Sequence, residues 1–238
     1  MQRLRAQVDT FGATPPSPHP GQVEMALDLG EIAAGTLTRP VCELEIELVD
    51  GDPRAVLDVA RDFVRRHGLW LDTQTKAHRG DQLAREAESH QPSPLPPARP
   101  RTRFKPGMSP VRQWLAAVDA SLEQIGACLS EVALCETHRP VGRPDAELLN
   151  PAPWIQGWAN GLRRLLWLWR QAPAAVQAQA TCRTLHAQVM QAAHVQLRAL
   201  RPRPSHLIDG EAAALLARSA APTLMALDVL ELCLAMSA

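Results

Sequence analysis

The chain has 238 residues, no net charge and a near-neutral isoelectric point, with 46% hydrophobic and 21% charged residues. That composition suits one or two folded domains. It excludes a global electrostatic argument for nucleic acid or anionic membrane, so any phosphate-binding site must be local. Five scattered cysteines (42, 128, 135, 182 and 233), with no CxxC, argue for reduced thiols and a cytoplasmic protein. No apolar run follows Arg3 and Arg5 as a signal peptide would require, and no stretch of 18 apolar residues marks a membrane span.

In chain order, Met1 to Phe11 can be the end of a strand, and prolines 15, 16, 18 and 20 make a loop. Val23 to Leu29 alternates: Glu24, Ala26 and Asp28 face one way, Val23, Met25, Leu27 and Leu29 the other. Val41 to Leu48 alternates too, with Cys42, Leu44, Ile46 and Leu48 on one face and Glu43, Glu45 and Glu47 on the other. Neighbouring carboxylates on such a strand lie roughly 6.5–7 Å apart and repel. They need bulk water, basic neighbours or a bound cation. Two antiparallel strands of this kind predict a curved sheet with a polar interior. Asp52 and Pro53 open a helix whose apolar-leaning stripe is Val56, Leu57, Ala60, Phe63, Val64 and His67, and Gly68 ends it. Leu69 to Gln74 reads as a further strand, closed by Thr75 to Gly80, giving the order β, β, α, β.

The segment 84–108 is a proline-rich linker carrying Arg99, Arg101, Arg103 and Lys105, most simply a solvated run. From 109 the apolar period becomes helical. Ser109 caps a helix with Pro110 in its first turn and a stripe from Val111 to Val132. The prolines within 139–153 break the chain. Further helices are predicted over 154–171, 174–200 and 209–236, the last divided or kinked at Pro222. The fold class is therefore α+β, with a β domain at 1–83 and a helical bundle at 109–238. Trp158 and Trp169 fall on a helix stripe and read as core rather than as base-stacking platforms. His186 and His194 could share a helix face, but no carboxylate stands at ligand spacing. No Gly-rich phosphate loop, GxSxG or HExxH is present.

Three stretches, Val23 to Ile32, Cys42 to Gly51 and Thr75-Lys76-Ala77-His78-Arg79-Gly80, resemble in order and spacing the C-terminal half of a CYTH domain. That is the triphosphate tunnel metalloenzyme family, and the bacterial inorganic triphosphatases are the most similar subgroup. The resemblance covers residues 20–83. It implies part of an antiparallel β-barrel whose tunnel holds a polyanion. It also implies that Glu43 and Glu45, supported by Asp28 and more weakly by Glu47, bind Mg²⁺ or Mn²⁺, and that Lys76 and Arg79 contact phosphate. Only two of the 25 basic residues are lysines, Lys76 and Lys105. Thr75-Lys76 stands for the family's Ser-Lys, and His78 for a frequent Glu. The family's N-terminal Glu-x-Glu-x-Lys strand has no counterpart in residues 1–22, so a second copy in a homodimer would have to complete the barrel.

Gly161-Leu162-Arg163-Arg164-Leu165 resembles the first basic helix motif of the CHAD domain, a polyphosphate-binding helical module. Gln156 and Ala159 stand where that motif has His and Arg. The implied function is metal-dependent hydrolysis or binding of triphosphate or polyphosphate, with Arg163 and Arg164 as further phosphate contacts. The alternative is a non-catalytic polyphosphate- or protein-binding remnant. Neither membrane nor nucleic acid is expected as a partner.

Overall fold

The structure, a computed structural model, describes residues 2–10, 18–89, 107–134, 151–178, 180–201 and 210–237. It is α+β, and its described residues fall into a sheet unit (2–68 and 75–89) and a helical unit (69–74 and the described part of 107–237).

The sheet unit is built on β1 (Gln2–Asp9), β2 (Gly21–Ala34) and β3 (Leu37–Gly51), antiparallel in the order β1-β2-β3. Gly35, with φ 58°, sits in the tight β2–β3 turn, where a left-handed backbone favours glycine. Val23 opposes Leu48 whereas Gln22 opposes Asp50, so Val49 is an extra, bulged residue of β3. The predicted alternation holds in the pairing. Met25 faces Ile46 and Leu27 faces Leu44 on one side of the sheet; Ala26 faces Glu45 and Asp28 faces Glu43 on the other.

Each face is covered by a helix. Helix α1 (Arg54–His67) lays Ala55 and Val59 on Val23, with Met25, Ile46, Val56 and Phe63 around them. Asp52 accepts a hydrogen bond from the Arg54 amide at 2.9 Å, and Gly68 closes the helix with φ 63°. The acidic face lies under α2 (Lys76–Ser89), whose residues Arg79, Leu83 and Glu86 are buried at helical spacing. Arg39, on the same face as Glu43, reaches Glu86 at 2.8 Å.

Three expectations are corrected here. The described strands form a three-stranded antiparallel sheet with a helix on each face, so the polar face lies against α2 and does not line a barrel interior. Leu69–Gln74 is not a strand: the Leu71 amide donates to Thr223 Oγ1 at 3.1 Å and Thr73 Oγ1 to the Glu123 carbonyl at 3.1 Å, so its polar groups are used in the helical unit. Helix α2 also runs past residue 84, through Ser89, where the sequence predicts linker. The rest of that linker, 90–106 with its basic run, lies outside the described residues, as does 135–150.

The helical unit contains α3 (Pro110–Leu134), α4 (Ala152–Arg170), α5 (Ala174–Ala178), α6 (Ala180–Ala199), α7 (Gly210–Arg218) and α8 (Ala220–Ser237). Ser109 Oγ accepts from the Arg112 amide at 3.3 Å, as the sequence predicts of a cap. The stripes of α3 and α4 meet: Val118, Ile125, Leu129, Ile155, Trp158, Leu162 and Trp169 belong to one core. The break before α8 falls at Ser219, and Pro222 lies in that helix's first turn, where its missing N–H costs nothing. No single described helix is long and apolar enough to cross a membrane; α7 and α8 reach that length only as a pair bent by 53°.

Gly161 of α4 lies against Ile125 of α3. A Cβ there would come within 2.7 Å of Ile125 Cγ1 in the core. Helix propensity favours Gly161→Ala by about 1 kcal/mol, but overpacking a core costs about 1–3 kcal/mol. We expect a net loss of stability, read as a lower urea midpoint. A midpoint equal to or above the wild type would mean that Ile125 yields freely.

Candidate functional site

The acidic row meets its counter-charges beneath α2. Thr75 caps this helix: its Oγ1 accepts from the His78 amide at 3.1 Å, and its carbonyl accepts from the Arg79 amide at 3.0 Å. The Thr-Lys pair is thus a helix start. Lys76 and Arg79, three residues apart, project from one helix face towards the sheet.

Lys76 Nζ lies where three carboxylates converge, 2.9 Å from Asp28 Oδ2, 2.9 Å from Glu43 Oε2 and 2.5 Å from Glu45 Oε1. An ammonium has three N–H donors, and each carboxylate offers it one oxygen. Arg79 pairs with the other oxygen of Glu43. From β1, opposite Asp28 in the register, Arg3 grips both Asp28 oxygens at 2.6 Å and also reaches Glu45 Oε2 at 2.7 Å. Three carboxylates and three cations close into a neutral network. Each of the three carboxylates is ion-paired to at least one cation, and Asp28 accepts hydrogen bonds at both of its oxygens.

Burial decides which member is the anchor. The Asp28 side chain is 0% exposed, whereas Glu43 and Glu45 keep 19% and 34%. Hydrogen bonds from Arg3, then Lys76, hold the Asp28 carboxyl well below the usual carboxylate range despite its burial. The bond to Asp28 raises Arg3 further above its already high value. Burial works to lower the Lys76 pKa, but hydrogen bonds to Glu45 and Asp28 outweigh it, and the ammonium is held more firmly protonated.

The structure therefore brings together five of the residues singled out in the sequence: Asp28, Glu43, Glu45, Lys76 and Arg79. Glu47 opposes Glu24 further along the same face, where Arg5 meets Glu24 at 3.4 Å. Arg163 and Arg164 lie on α4 in the helical unit, with Arg163 exposed and bonded to Asn160 Oδ1 at 2.8 Å. Arg3 is the member that sequence reasoning missed. Its signal was the alternation Arg3-Leu4-Arg5-Ala6-Gln7-Val8, short and next to a proline-rich segment.

A hard divalent ion takes carboxylate oxygens that converge on a point. Asp28, Glu43 and Glu45 supply the right oxygens, but Lys76 Nζ fills that point. Consistent with this, no group of three or more His, Cys, Asp or Glu among the described residues is arranged to hold a metal ion. A cation can enter only if the ammonium leaves. His186 and His194 do not pair: His186 stacks on Trp169, and His194 Nδ1 bonds the Met190 carbonyl. No family model matches the chain.

The depressed Asp28 pKa has a direction in pH. Its contribution to stability is fully present above its unfolded value of about 3.9 and is lost as pH falls towards its folded value. Asp28→Asn should destabilise the sheet unit at pH 6, followed by hydrogen exchange of the β2 amides. The gap between variant and wild type should narrow as pH drops below about 4. A gap independent of pH would contradict the assignment.

Proposed function

We propose that the sheet unit is the C-terminal half of a CYTH-type barrel and that its charged face binds a linear triphosphate or polyphosphate together with Mg²⁺ or Mn²⁺. The observation that carries this reading is the convergence of Asp28, Glu43 and Glu45 on Lys76, with Arg79 beside it. The network is neutral, so a bare polyanion or a bare dication would each break ion pairs without replacing both halves. A metal–phosphate complex replaces both. Its phosphate oxygens take Lys76 and Arg79, and Glu43 and Glu45 become available to the cation. The ion would supply charge neutralisation for phosphoanhydride hydrolysis when bound. Arg3 and Asp28, joined through both carboxylate oxygens, stay together and hold β1 to β2.

Ligand and metal should then bind cooperatively, each raising the other's affinity. Two further elements belong to the proposal. The outer strands β1 and β3 each pair only with β2 among the described residues, which leaves edges for a second copy to extend the sheet. The helical unit is read as CHAD-like, with Arg163 and Arg164 as an additional polyphosphate contact.

A second reading, holding the ligand without turnover, is favoured by the pairing of each carboxylate in the network with a cation, since a general base needs a carboxylate it can offer to water.

Thermal denaturation with tripolyphosphate, Mn²⁺, or both tests the binding. The wild type should be stabilised chiefly by the pair. Lys76→Ala should lose the response to tripolyphosphate yet gain one to Mn²⁺ alone, because its carboxylates no longer hold an ammonium. No response of the wild type to the pair would overturn the proposal. Orthophosphate release from tripolyphosphate, lost in Glu43→Ala, separates turnover from holding.

A further inference from the structure

The helical unit contains a cavity of about 330 Å³ that the charged sheet face does not involve. It lies where the C-terminal end of α4 meets α3, α5, α6 and α8, lined by Trp114, Trp169, Ala172, Val176 and Leu232 with Arg170, Arg183 and His186. That volume sits at the lower end of the range for small-ligand sites, about 300–1,000 Å³. Its walls are aromatic. The Trp114 and Trp169 ring centres are 5.2 Å apart and tilted by 49°, and His186 stacks on Trp169 at 5.8 Å and 18°.

The polar groups are unequal in sign. Among the described lining residues no carboxylate is found and two guanidinium groups are, together with Gln177, whose Nε2 donates to the Ala172 carbonyl at 2.7 Å. Burial lowers the His186 pKa, so this ring is neutral at neutral pH and the positive charge belongs to the arginines. Carbonyls in the last turn of α4 accept hydrogen bonds from within the protein, so the charge that would attract an anion comes from the arginines. Leu168 accepts from Trp114 Nε1 at 2.8 Å and from the Gln171 amide at 3.0 Å, and Trp169 accepts from the Ala172 amide at 3.3 Å. Trp169 is 2% exposed, and its indole N–H has no acceptor among the described residues. A buried donor in that state is paired in most proteins.

We propose that this cavity binds a small, flat aromatic anion, its ring against Trp114, Trp169 and Leu232 and its carboxylate at Arg170 and Arg183. Guanidinium groups suit a planar carboxylate because they bond it through two parallel N–H donors. A neutral ring of the same shape would gain only the apolar walls.

Calorimetric titration of the full chain with 2-naphthoate and with its neutral analogue 2-naphthamide tests this. The wild type should bind the naphthoate about tenfold more tightly, the scale of a charge-assisted contact at a partly exposed site. In the double variant Arg170→Gln, Arg183→Gln, both side chains being exposed, that ratio should fall to near one with the helical circular dichroism unchanged. Ala172→Leu should block both probes by filling the cavity. Equal wild-type affinities, no binding of naphthoate, or a ratio that survives in the double variant would each overturn the proposal. The two-probe comparison in the wild type needs no variant, so it decides even if Ala172→Leu fails to fold.

Discussion

A carboxylate withdrawn from solvent must find its charge partners inside the protein, because an ionised group buried alone costs far more than folding can offset. Asp28 is that group, and its partners come from two directions: Arg3 from β1 and Lys76 from the first turn of α2. The requirement ties together elements separated in sequence. It fixes β1 in register beside β2, places the start of α2 over the sheet, and gathers Glu43 and Glu45 around the same ammonium. On the opposite face the apolar side chains of β2 and β3 need only α1, and ordinary hydrophobic burial does the rest.

What could be read from the sequence follows this division. The strands at Val23–Leu29 and Val41–Leu48 were legible because a period of two separated their acidic and apolar residues. Helix α1 was legible from Asp52, Pro53 and Gly68, and α3 and α4 from clean apolar stripes. Helix α2 was not, because the face it buries is charged. Lys76, Arg79 and Glu86 give no hydrophobic stripe, and only Leu83 marks the buried side. Leu69–Gln74 misled for a different reason: it reads as a short strand, but Thr223 and the Glu123 carbonyl satisfy its polar groups without a strand partner. The acidic row was found from the sequence, and among water, basic neighbours and a bound cation it is basic neighbours that the structure supplies.

That outcome sets the two units apart chemically. On the sheet, Asp28, Glu43 and Glu45 are matched by Arg3, Lys76 and Arg79, so a ligand of that face would have to enter by exchange. In the helical unit, the tryptophans expected in the core are there: Trp158 and Trp169 are buried, while Trp167 is exposed. Trp169 does two things at once, closing the core and walling a cavity rimmed by arginine. The exposed Arg163 belongs to neither the cavity lining nor the sheet network.

Because Lys76 and Lys105 are the only lysines, selective ¹⁵N-lysine labelling reports the contested ammonium directly. Exchange of Lys76 from carboxylate to phosphate should shift its ¹⁵Nζ resonance when Mn²⁺ is replaced by diamagnetic Mg²⁺ and tripolyphosphate is added, with Lys105 as the internal reference. Mg²⁺ alone should leave the Lys76 signal in place. A Lys76 resonance that stays fixed with both components present would contradict ion exchange and leave the network a purely structural clamp.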